Sequence, residues 1–119
     1  MNDDERKSHL GEFINLAMDC LGVAVTIIDT KGTLLYYNQQ SAKILNRKPD
    51  YIGTDIHSHH KKADSNKKVD LMLKAFEEGR RDPFHYEANP YGKIIFVALS
   101  PLIKDGKFVG CVQTVRPKL

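Results

Sequence analysis

"IIDTKGTLLYYNQQSAKILN", residues 27–46, decides the fold. Its start belongs to "VAVTIID" (23–29), short and β-branched, which is the composition of a strand. Asp29, Thr30, Lys31 and Gly32 make a turn, with Gly32 free to take positive φ. "TLLYYN" (33–38) is the return strand, so the pair forms a hairpin. Asn38 then caps a short helix, "QQSAKILN" (39–46), in which Ala42 and Leu45 lie one turn apart. Pro49 stops it.

On the N-terminal side, residues 3–21 read as an amphipathic helix. Leu10, Phe13, Ile14, Ala17, Met18 and Leu21 fall at three- and four-residue steps, one stripe of a helix. Asp3, Asp4 and Glu5 sit where the helix dipole favours acids, and Gly22 breaks the pattern. On the other side, "DYIGTDI" is a turn region. Residues 66–78 form a second clear helix, with Val69, Met72, Leu73 and Phe76 on one face and Gly79 just past its end. The rest is strand: "PFHYEA" (83–88), "KIIFVALSPLI" (93–103) and "FVGCVQTV" (108–115), joined by the turns "NPYG" and "KDGK".

Short hairpin connections make the sheet antiparallel and the fold class α+β. Within "IIFVAL" (94–99) both alternating faces are apolar. A sheet solvated on one side would alternate, so both faces of this strand are expected to be covered. The middle helices cover one. The N-terminal stripe is the remaining element able to cover the other, in this chain or in a partner.

Composition bounds the function. The 119 residues suit a single domain, and 41% hydrophobic residues suffice for one core. A net charge of +3 is too small to argue for direct nucleic-acid binding. The longest apolar run is far short of a membrane span, and "MNDDERKSHLGEF" has no secretory character. The expected compartment is the cytoplasm. Cys20 and Cys111 form no CxxC, so neither zinc nor redox chemistry is signalled. Catalytic motifs are lacking too: there is no G-x-S-x-G, HExxH, P-loop or GxGxxG.

The order and spacing of "IIDTKGTLLYYNQQSAKILN" (27–46), "YIGTDI" (51–56) and "DGKFVGCVQTV" (105–115) resemble a PAS domain, the small sensor fold of signalling proteins. The resemblance spans roughly residues 10–116. It implies a five-stranded antiparallel sheet cupping short helices on one face, with the first and last strands as central neighbours. It divides the chain into an N-terminal helix (1–21), for packing or dimerisation, and a sensor domain (22–116). It further implies a pocket that can bind a ligand, and a homodimer that relays its state to an output domain or partner, for instance in transcription regulation. The flavin branch of the family needs a reactive cysteine after the first helices. "GTDIHSHH" (53–60) has none, so flavin is not expected.

The histidine-rich stretch "DIHSHHKKADSNKK" (55–68) has three competing readings. If 56–61 is a helical turn, His57 and His60 share a face and one can enter the cup as a haem iron ligand. His60 is the first choice, because it abuts the link into helix 66–78; His57 is the second, and His59 should face solvent. Alternatively the pair holds a surface metal ion, although H-x-x-H lacks the further ligands of a structural zinc site. The third reading is a solvated loop beside Lys61, Lys62, Lys67 and Lys68. The cup itself is expected to be lined by Ile27, Ile95, Val97 and Val112, capped by Met72 on helix 66–78, and suited to a flat apolar cofactor such as haem. Three classes of function follow. The first is a sensory module with a small ligand or cofactor and no catalysis of its own. The others are a ligand-free interaction or dimerisation module and a small metal-dependent enzyme, which would need a full metal shell and a base in one cleft.

Overall fold

A computed structural model describes residues 2–45, 47–59, 63–89 and 92–118. In chain order it contains α1 (Asp3–Cys20), β1 (Ala24–Asp29), β2 (Leu34–Tyr37), α2 (Gln39–Leu45), α3 (Ala63–Glu77), β3 (Phe84–Ala88), β4 (Ile95–Lys104) and β5 (Lys107–Pro117). Two short 3-10 turns, Pro49–Tyr51 and Ile56–His59, lie between α2 and α3. The five strands form one antiparallel sheet in the order β2-β1-β5-β4-β3. The first and last strands are central neighbours, paired from Ala24 with Val115 to Asp29 with Gly110. The fold is therefore the α+β arrangement expected from the hairpin pattern.

Local chemistry explains the elements. Asp29 Oδ1 accepts from the Lys31 and Thr33 amides, both at 2.9 Å, and Gly32 turns the chain at φ 89°. Asn2 caps α1 by accepting from the Glu5 amide at 2.8 Å. The end of α3 is closed by paired bonds from Gly79 N to Phe76 O and from Arg80 N to Ala75 O. Gly110 lets β5 pass close to β1: a Cβ there would lie 2.5 Å from Ile28 O.

The core lies between the sheet and the middle helices. Val69, Met72, Leu73 and Phe76 of α3 are buried, the same stripe that the sequence spacing marks. They pack on Ile28, Leu34, Leu99 and Cys111. Phe76 is fully buried, with ring contacts to Phe84 (5.3 Å) and Phe108 (5.7 Å). Toward the other end of the sheet, Ala24, Ile95, Val97 and Val115 form a second cluster.

Asn38 binds these parts together. It is fully buried. Its Oδ1 accepts from the Val25 amide (2.8 Å) and the Ser41 amide (3.0 Å). Its Nδ2 donates to the carbonyls of Met18 (2.7 Å) and Val23 (3.0 Å). One carboxamide thus caps α2, starts β1 and holds the end of α1. The remainder of α1 does not cover the sheet within this chain. Leu10, Phe13 and Ile14 are 59%, 58% and 53% exposed. The tether at Met18, supported by Gln39 N donating to Asp19 Oδ1 (3.0 Å), fixes only the C-terminal end of the helix.

Replacing Asn38 tests this linkage. Asn38→Ala strands buried donors and acceptors, each costing about 1–3 kcal/mol. Urea unfolding should show a loss on the order of 3 kcal/mol or more. A loss below about 0.5 kcal/mol would mean that the linkage contributes nothing.

Candidate functional site

Two places gather polar side chains: the rim before α3, and the inner face of the sheet beneath it.

The rim segment is pinned to the hairpin turn. Ile56 N donates to Gly32 O, and Leu34 N donates to Thr54 O, both at 2.8 Å. His57 sits on this segment against Gly32, where an added Cβ would lie 3.4 Å from His57 Cε1. Its Nδ1 bonds Asp55 Oδ1, and its Nε2 lies 2.5 Å from Oδ1 of Asp70 on α3. Ionised carboxylates only accept hydrogen bonds, so an imidazole held by two of them carries a proton on each nitrogen. The hydrogen bond to Asp55 raises the His57 pKa above the ordinary imidazole range; desolvation opposes this, and the bond to Asp70 supports it. His57 therefore works as a charged clasp between the rim and α3. Both ring nitrogens are engaged, which leaves none for a metal. Among the described residues no group of three His, Cys, Asp or Glu side chains is arranged to hold a metal ion. His60 and the side chain of His59 lie outside the described residues, as do Lys61 and Lys62.

Beneath the rim, the inner face encloses a void of about 20 Å³ lined by Thr26, Ile28, Ile56, Val69, Met72, Tyr86, Leu99 and Gln113. Met72 stands where the sequence reading puts it. Ile95 and Val97 also face the helices, but in the second cluster, away from the void. Ile27 and Val112 need correction. They are partners in register, yet they lie on the outer face, because Thr26, Ile28, Cys111 and Gln113 take the inward positions. Strand 24–29 carries apolar residues on both faces, Ala24 and Ile28 on one and Val25 and Ile27 on the other, so its parity is illegible in the sequence. Thr26 and Gln113 were missed because an inward face is expected to be apolar. Their signal is a polar residue at the same parity in two strands predicted to be neighbours.

The first-choice haem ligand, His60, lies outside the described residues. A space of about 20 Å³ accommodates a water-sized group, far smaller than a porphyrin, and His57 is committed to its carboxylates. On the outer face, a broad open depression of about 580 Å³ runs over Val23, His85, Phe96, Ala98, Thr114 and Arg116. The Arg116 guanidinium lies 4.6 Å from the Phe96 ring centre.

The clasp gives a signed pH dependence. The folded-state pKa of His57 is raised, so its stabilisation is complete below the unfolded imidazole value and is lost as pH rises through the folded value. The carboxylates are more than half exposed (61% and 64%), so solvent screening limits the effect to on the order of 1 kcal/mol. Thermal melts should show His57→Ala or Asp70→Asn less stable than wild type at pH 6 and nearly equal to it at pH 9. Equal differences at both pH values would exclude the charged clasp.

Known proteins bear on the fold at this point. A family model described as "PAS domain" matches residues 14–116. No curated protein sequence matches the chain. Among solved structures, a C-terminal domain from Streptococcus mutans superposes with a TM-score of 0.75 at 22% identity, covering 90% of this chain and 84% of that one. The PAS domain of BvgS from Bordetella pertussis gives 0.73 at 14% identity, covering 93% and 88%. The PAS domain of the histidine kinase ThkA gives 0.63 at 14% identity, covering 81% and 99%. With the family model spanning the hairpin, the helices and the whole sheet, the chain belongs to the PAS domain family.

Proposed function

We propose that this PAS domain is a sensory signal-transduction module, without catalysis of its own, that works as a symmetric dimer through α1. The carrying observation is the unburied stripe of α1. Leu10, Phe13 and Ile14 are each more than half exposed on a helix tied down at its C-terminal end. The outer face of the sheet offers a matching surface, with Ile27, Phe96, Ala98 and Val112 half-buried. Covering each exposed side chain of the stripe contributes about 1 kcal/mol. A two-fold axis lets one stripe serve both partners.

In this reading α1 is also the output. It carries the signal to the domain or partner protein that receives it. Family membership and the fold shared with a histidine kinase's PAS domain support a relay role. The input is a small change at the inner face or rim, because the enclosed space is water-sized. That same smallness favours a second reading, a dimerisation module with no ligand at all. No helix among the described residues is long and apolar enough to cross a membrane.

Sedimentation velocity over a hundredfold concentration range tests the assembly. Wild type should shift from monomer to dimer. Phe13→Glu with Ile14→Glu should stay monomeric at every concentration while keeping the wild-type circular dichroism. Wild type that remains monomeric throughout would overturn the dimer.

A further inference from the structure

The inner face carries a polar line through the middle of the core. Thr26 of β1 and Gln113 of β5 are direct cross-strand partners facing the helices. Side chains so paired have Cβ atoms about 4.5–5.5 Å apart. They lie between the apolar pairs Ile28–Cys111 on one side and Ala24–Val115 on the other. Thr26 Oγ1 bonds Ser41 Oγ of α2 at 2.7 Å. Gln113 bonds the Tyr86 side chain of β3. The line therefore runs from Ser41 to Thr26, and again from Gln113 to Tyr86.

Between the two halves stands an unmatched acceptor. Gln113 Oε1 is buried and accepts no hydrogen bond among the described residues. Such a group carries a desolvation penalty that an apolar residue of similar size would avoid. The void of about 20 Å³ opens beside it, bounded by Thr26, Gln113, Tyr86 and the apolar Ile28, Val69 and Met72. That volume exceeds the roughly 10–15 Å³ that one water requires. Among the described residues no carboxylate, lysine, arginine or histidine lines it, so they give an ion no counter-charge there.

We propose that the Thr26–Gln113 rung is a binding site for one small neutral hydrogen-bond donor, occupied by a water that donates to Gln113 Oε1. The guest joins the two halves of the polar line into one connection from α2 to β3. The site is independent of the dimer: a monomer can hold this water, and a dimer can lack it.

Water-selective nuclear Overhauser spectra of the labelled protein test the site. Wild type should show cross-peaks from one slowly exchanging water to the Gln113 side-chain amide and the Met72 methyl. Gln113→Leu removes the acceptor and should abolish the Met72 peak. Thr26→Val keeps the shape of the strand and should weaken it at least twofold, which provides a test if Gln113→Leu does not fold. Absence of such peaks in wild type, or peaks unchanged in the folded variants, would overturn the proposal.

Discussion

The fold depends on one buried carboxamide. Asn38 stands at the joint of β2 and α2, and its side chain reaches α1, β1 and α2 at once. A buried amide is tolerable only when its donors and acceptors are matched, and here each is used twice. The geometry that satisfies it therefore sets three angles together: where α1 ends, where β1 begins and how α2 departs. An aliphatic residue of similar volume could fill the space, but it could not aim those three elements.

The two faces of the sheet then take different fates. The inner face receives α3 and closes around Phe76, Met72 and Leu73. On the outer side, α1 is held at its C-terminal end by the bonds at Met18 and Asp19, and Leu10, Phe13 and Ile14 stay exposed. Apolar side chains stay exposed on α1, and Ile27, Phe96, Ala98 and Val112 on the outer face are half-buried.

The polar groups inside the core connect to the same joint. Ser41 donates its amide to Asn38 and shares a hydrogen bond with Thr26 through its hydroxyl. The polar line across the inner face thus begins at the residue next to the α1 anchor. At its other edge the void meets Ile56 and Val69, each the chain neighbour of a clasp residue, His57 or Asp70. Rim, void and α1 are joined by a short run of hydrogen bonds and packed side chains, an arrangement that can carry a conformational change.

Much of this was legible in the sequence, and for a local reason. A strand, a D-x-x-G turn, a capping Asn and a helical stripe are each specified by residues within a turn or two of one another. Hence the hairpin at Asp29 and Gly32, the cap at Asn38 and the buried stripe of α3 could all be read locally, while the pairing of the first and last strands came from the resemblance to the family. What the tertiary structure decided concerns partners distant along the chain. Strand 24–29 is apolar on both faces, so only pairing with β5 put Ile27 and Val112 outside and Thr26 and Gln113 inside. The stripe of α1 announced a face that wants cover; the tertiary structure leaves its Leu10, Phe13 and Ile14 exposed. His57 looked like a free imidazole because its second partner, Asp70, lies thirteen residues away on α3. Periodicity tells which side chains share a face, whereas what that face meets is set by packing.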